Sequence, residues 1–181
     1  MPSSCAEASV TQASIARARG MLTAMFEDGP DAFLQRWREY ASDAVLFARP
    51  EGSPLLEAEV GGAVVQLLER TNPYLATPGP ARLVVNATVS ELRACDAEAP
   101  ELSVPRRGAL AGCGRVLERE DRLVAVDAGT PLLLACEVAP DDDVAPGAWV
   151  HFEAAPPVHG FVLPPERRRE AGDGRSIDEA P

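Results

Sequence analysis

The residues of this chain best equipped for chemistry are two histidines, His151 and His159, and four cysteines, Cys5, Cys95, Cys113 and Cys136. An imidazole titrates near neutrality, so either histidine can act as a general base or as a pH-sensitive contact. Both have aromatic neighbours at alternate positions. In a strand over 149–153, Trp149 and His151 share a face; in a strand over 158–163, so do His159 and Phe161. If these strands pair through a turn at Ala154–Pro157, Trp149, His151, His159 and Phe161 gather on one surface, the expected binding site. Spacing places no second catalytic group beside either histidine, so no catalytic residue is assigned.

The same inventory argues against most cofactors. Cys95, Cys113, Cys136, His151 and His159 lack the close C-x-x-C or H-x-x-x-H spacing that pre-forms half of a zinc site, so no metal is expected and the thiols read as small buried groups. Asp141-Asp142-Asp143 lacks the alternating acids and glycine of a calcium loop and reads as a solvated turn. Gly112-Cys113-Gly114 opens like a dinucleotide fingerprint, but Leu117 stands where the third glycine belongs, and no helix follows. All 17 basic residues are Arg. Without Lys there is neither a phosphate-loop lysine nor Schiff-base chemistry. No nucleophile elbow and no H-E-x-x-H pair is present. No cofactor is expected.

Against those 17 Arg stand 28 acids, a net charge of −11. The stretch 164–181 holds four Arg and five acids, so nearly all of the negative charge belongs to the body of the chain. An acidic surface disfavours nucleic acid and anionic membranes, which need a cationic face. Met1–Gly20 has no continuous apolar core and the longest apolar run, Leu132–Cys136, is short, so neither a secretory signal nor a membrane helix is read. The expected location is the cytoplasm, with reduced thiols.

These residues need elements to position them. Ser14–Glu27 has helical spacing at Ile15, Ala18, Leu22, Met25 and Phe26, and Pro30–Ser42 does so at Phe33, Leu34, Trp37 and Ala41. Asp28-Gly29-Pro30 links the two as a helical hairpin. Ala44–Ala48 reads as a buried strand. Pro54–Tyr74 fits a helix beginning after Gly61-Gly62 or a hairpin turning on those glycines, with the helix favoured. After the breakers at 72–80 the texture becomes strand: Leu83, Val85, Ala87 and Val89 alternate with polar residues, with a bulge expected near Glu91-Leu92. Residues 96–106 form an acid- and Pro-rich loop. Strands follow at 108–118, 122–126, 131–138, 149–153 and 158–163. Helices first and strands afterwards make an α+β protein, its N-terminal helices packed on a curled, mainly antiparallel β-sheet or small barrel. Residues 1–13 read as a flexible N-terminus, 14–163 as a single α+β domain (helical over 14–75, β-rich over 81–163), and 164–181 as a disordered tail.

Two resemblances bear on function. From Arg82 onward, the long bent first strand, the hairpin Gly114–Val126 and the run Val144–Phe152 resemble a five-stranded barrel of the oligonucleotide/oligosaccharide-binding type. That type binds on a face of aromatic and basic residues, in which this acid-balanced region is poor. The stretch Phe26–Leu34, continuing through Asp43–Phe47 to the helix expected beyond it, resembles the nuclear-transport-factor-like, ketosteroid-isomerase-like cone fold. This resemblance implies helices, a strand, a third helix and a curved sheet around an apolar pocket, in proteins ranging from isomerases to non-catalytic binders. Tyr40 and Asp43 lie nearby but match no catalytic pair. The expected function is a binding or protein-interaction module without catalytic activity, taking a protein partner, a second copy in a homodimer or a small molecule. A cone-fold ligand binder or enzyme is the alternative, and an oligonucleotide/oligosaccharide-binding-type barrel the next.

Overall fold

The computed structural model describes residues 29–71 and 76–164. The expected helix over Ser14–Glu27, the flexible residues 1–13 and all but Pro164 of the expected tail lie outside the described residues. Helix α1 (Gly29–Trp37) carries Asp31 in its first turn and Arg36 in its last, each complementing the helix dipole. Phe33 and Trp37, one turn apart, form its buried side. A single 3-10 turn, Arg38–Tyr40, ends the helical stretch, which had been expected to reach Ser42.

The rest is strand. Ser42–Leu46 (β1) alternates buried and exposed side chains. The helix favoured for the next stretch is overturned: β2 (Leu55–Val60) and β3 (Ala63–Glu69) form an antiparallel hairpin. Its two-residue turn is Gly61-Gly62, with φ of +56° and +78°. A reversal with positive φ at both positions matches the twist of the strands and favours glycine. At Gly61 there is also no room, since a Cβ would stand 2.8 Å from Thr130 Cγ2. The third helix implied by the cone-fold resemblance is therefore two strands, and of the block expected to be helical over 14–75, the described part is helical only over 29–40.

Six further strands follow: β4 (Gly79–Ala94), β5 (Glu101–Ser103), β6 (Leu110–Glu120), β7 (Leu123–Asp127), β8 (Pro131–Cys136) and β9 (Trp149–Val162). The short β5 lies inside the region expected to be loop. The two strands expected over 149–153 and 158–163 are one continuous strand, with no hairpin between them. The expected irregularity in β4 is present: its register against β9 shifts between Ala87 and Glu91.

All nine strands join one mixed sheet that closes on itself twice. One edge of β4 pairs with β9 along nearly its whole length, from Leu83↔Val162 to Ala94↔Val150. Its other edge pairs first with β1 and then, in parallel, with β8. The far edge of β9 likewise pairs with β6 near Val150 and with β3 near His159. The long β4/β9 ladder is thus shared by two five-stranded closures, β1-β2-β3-β9-β4 and β4-β8-β7-β6-β9. In the second, β6, β7 and β8 form a meander and β9 returns beside β6, a Greek-key order.

The same face of β4 points inward in both closures, through Leu83 and Val85 in one and Ala87 and Val89 in the other, so their interiors form one core. Leu56, Leu67, Leu132, Leu134, Val150 and Phe152 fill it. A second, smaller core lies outside the ladder, where Phe33, Trp37 and Ala41 cover Val84, Ala125, Leu133 and Phe161. Tyr40 and Arg36 pin α1 by bonding Glu118 and Glu120 of β6. The connection from β8 to β9 is gripped by Arg119, which donates to the carbonyls of Pro140, Asp141 and Val144 at 2.8–3.1 Å. Among the described residues no helix is long and apolar enough to cross a membrane.

Candidate functional site

The single strand β9 carries all four expected site residues on its outer face, yet it keeps them in two pairs. Eight residues of extended strand span roughly 26 Å, so His151 and His159 stand far apart. Trp149 and His151 lie at the N-terminal end, half-buried; His159 and Phe161 lie near the C-terminal end, buried. The turn that would have brought the pairs together does not exist, because Ala154–Pro157 continues the strand.

Around His151 the flanking strands contribute polar groups. Cys113 of β6 and Arg93 of β4 stand directly opposite it. Cys113 Sγ lies 3.7 Å from His151 Nδ1, and His151 Nε2 lies 3.9 Å from Glu153 Oε1. The Cys95 N–H donates to the Trp149 carbonyl at 3.0 Å, which extends the β4/β9 pairing by one residue. Burial pushes the Cys113 thiol up, Cys95 and Glu101 add to this, and Arg93 opposes it. A thiol held protonated is a poor nucleophile, so the Cys113–His151–Glu153 row lacks the activated sulfur that nucleophilic catalysis requires. Among the described residues no three His, Cys, Asp or Glu side chains are grouped to hold a metal ion.

The other end of β9 is a wall. His159 is 2 % exposed and pairs across the ladder with Asn86, which is fully buried. Asn86 donates from Nδ2 to the Leu133 carbonyl at 3.3 Å. Phe161 stacks on Phe33 of α1 with ring centroids 4.6 Å apart. Burial, and after it the charge of Arg70, lower the His159 pKa to about 4. At neutral pH this imidazole is an uncharged packing group beyond the reach of solvent.

Just past that wall the molecule has a concave surface. A groove of about 790 Å³ opens between α1 and the ends of β1, β4 and β9. Its apolar surface comes from Leu34, Ala44, Leu46, Ala81, Val162 and Leu163, and charges from Asp31, Arg38, Asp43 and Arg82. Asp31, Leu34, Gln35 and Arg38 recur at helical spacing, a stripe that runs along α1 into the 3-10 turn beside the Phe33/Trp37 core stripe. Arg82 is engaged with the Ala41 carbonyl at 3.3 Å and with Asp43 at 3.9 Å, whereas Arg38 makes no ion pair among the described residues.

No motif or spacing in the sequence marks this groove. Its one signal was Leu34, which was placed on the same face as Phe33 and Trp37 instead of on a stripe of its own.

Compared with known proteins, the chain matches no family model, no curated protein and no solved structure.

Proposed function

We propose that this protein is a non-catalytic binding module, and that the groove beside α1 takes a small amphiphile with an apolar body and an anionic end. The observation that carries this reading is the groove itself: 790 Å³ lies within the size range of small-molecule sites, and aliphatic side chains surround a few charged ones. Leu34, Leu46 and Leu163 supply apolar contact, and Arg38, which makes no ion pair among the described residues, supplies the charge that fixes orientation. The thiol of Cys113, held protonated, supports the non-catalytic part of the reading.

Spectral mapping with decanoate tests it. Amide signals of Leu34, Arg38, Ala81 and Leu163 are expected to move on titration, while those of Cys113 and His151 stay in place. Shifts confined to the His151 end would overturn the assignment.

A second reading, a protein-interaction face, is supported by a different observation. On the outer side of the β1-β2-β3 strands, Val45, Phe47, Leu55 and Val64 are all exposed, Val64 by 56 %. An apolar cluster of this kind, interleaved with Glu57 and Glu59, fits a partner protein or a second copy of the chain. Light scattering of wild type against Val64→Lys checks it: the reading expects self-association that the lysine abolishes, and a monomer in both leaves only an external partner.

A further inference from the structure

We propose that the ligand of the groove is a linear zwitterion, an ω-amino carboxylate whose carboxylate meets Arg38 and whose ammonium meets Asp31 across an apolar spacer. This inference rests on the reading of the groove as a small-molecule site and adds a second charged contact to it.

The wall that α1 gives the groove has opposite charges at its two ends. Asp31 stands in the first turn of the helix and Arg38 in the 3-10 turn that follows it. Leu34 and Gln35 lie between them, and all four line the groove. Seven residues of helix set the two charges about 10 Å apart along the axis. Neither makes an ion pair among the described residues. The charges nearby are already matched. Arg36 bonds Glu120 of β6, and Asp43 and Arg82, cross-strand partners in β1 and β4, stand 3.9 Å apart.

The groove is also neutral in sum. Its two acids, Asp31 and Asp43, balance its two cations, Arg38 and Arg82, within a chain of net charge −11. A ligand that is only anionic meets Arg38 but leaves the Asp31 carboxylate unmatched. One that also carries an ammonium satisfies both ends and stays neutral overall, so charge complementarity favours it. Leu46, Val162 and Leu163 line the same space as Leu34 and offer apolar surface to a methylene chain. An α-amino acid, with both charges on one carbon, is too short to reach Asp31 and Arg38 together.

Calorimetric titration of the full chain with 8-aminooctanoate, octanoate and 4-aminobutanoate tests this. The extended chain of the first matches the separation of the two charges, and that of the last does not. The expected result is that 8-aminooctanoate binds about two- to fivefold more tightly than octanoate, the range of an exposed ion pair, and that 4-aminobutanoate binds more weakly than both. Asp31 is exposed, and Asp31→Asn should remove the advantage of 8-aminooctanoate without weakening octanoate. Octanoate binding with no advantage for 8-aminooctanoate, or an advantage that survives Asp31→Asn, would overturn the zwitterion and leave the groove reading intact. Binding of neither would overturn both. The three ligands on the wild-type chain decide this whether or not the asparagine variant folds.

Discussion

At Trp149–Glu153 the outer face of β9 meets solvent, and His151 has Cys113 and Arg93 as neighbours on its two flanking strands. Toward Val162 the same face is covered: α1 packs on Phe161 and Val84, and His159, paired with Asn86, is 2 % exposed. The two histidines share a strand and a parity, so nothing in their local sequence separates them; the burial of the two strand ends does. Burying one end of a strand face converts an ionisable group into packing. The concave surface suited to a ligand then appears where that cover ends, between α1 and the last residues of β9.

The sharpest way to break this comparison is truncation. Phe161→Ala removes a buried ring stacked on Phe33 and is expected to cost about 3–5 kcal/mol in urea unfolding, whereas Trp149→Ala at the open end should cost less than about 1 kcal/mol. Equal losses would mean that the helix does not distinguish the ends.

Acid provides the next contrast. His159 is neutral in the folded protein down to about pH 4, while in the unfolded chain it titrates at its ordinary 6.5. Between those values the unfolded state binds the extra proton, so stability falls as pH falls, by on the order of 3 kcal/mol over the full window. His159→Gln should remove that part of the slope in denaturation curves recorded from pH 7 to 4. An unchanged slope would show that the histidine is not walled in.

Smaller effects refine the picture at the open end. His151→Gln should alter stability by no more than about 0.5 kcal/mol, since its 3.9 Å contact with Glu153 is partly exposed. A loss of several kcal/mol there would make both ends structural.

The elements that could be read from the sequence were those with an unambiguous period. Leu83, Val85, Ala87 and Val89 alternate cleanly, and β4 follows, including its irregularity before Glu91. The pair β2/β3 was misread because Val64, Val65, Leu67 and Leu68 satisfy a helical stripe as well as a strand that is open on one face. Only the two positive-φ glycines decide between them, and they act through the turn. Ala154-Ala155-Pro156-Pro157 resembles a turn by composition, but strand pairing on both sides of it makes β9 continuous. That one difference moved His159 and Phe161 away from Trp149 and His151.

The sequence reading did single out Cys95, Cys113 and His151, as metal candidates without a motif. The meeting of Cys113 and His151 depends on a cross-strand register, which no spacing encodes. The groove was less legible still, since its lining joins α1 and β1 to the start of β4 and the end of β9, which are far apart in sequence.

Calorimetric titration of the full chain with decanoate, and in parallel with decyltrimethylammonium, tests the binding claim most directly. The account predicts one decanoate site that Arg38→Glu weakens about tenfold or more, with the cationic amphiphile binding more weakly to wild type and gaining in the variant. Equal affinity for both amphiphiles that Arg38→Glu leaves unchanged, or no binding of either, would contradict it.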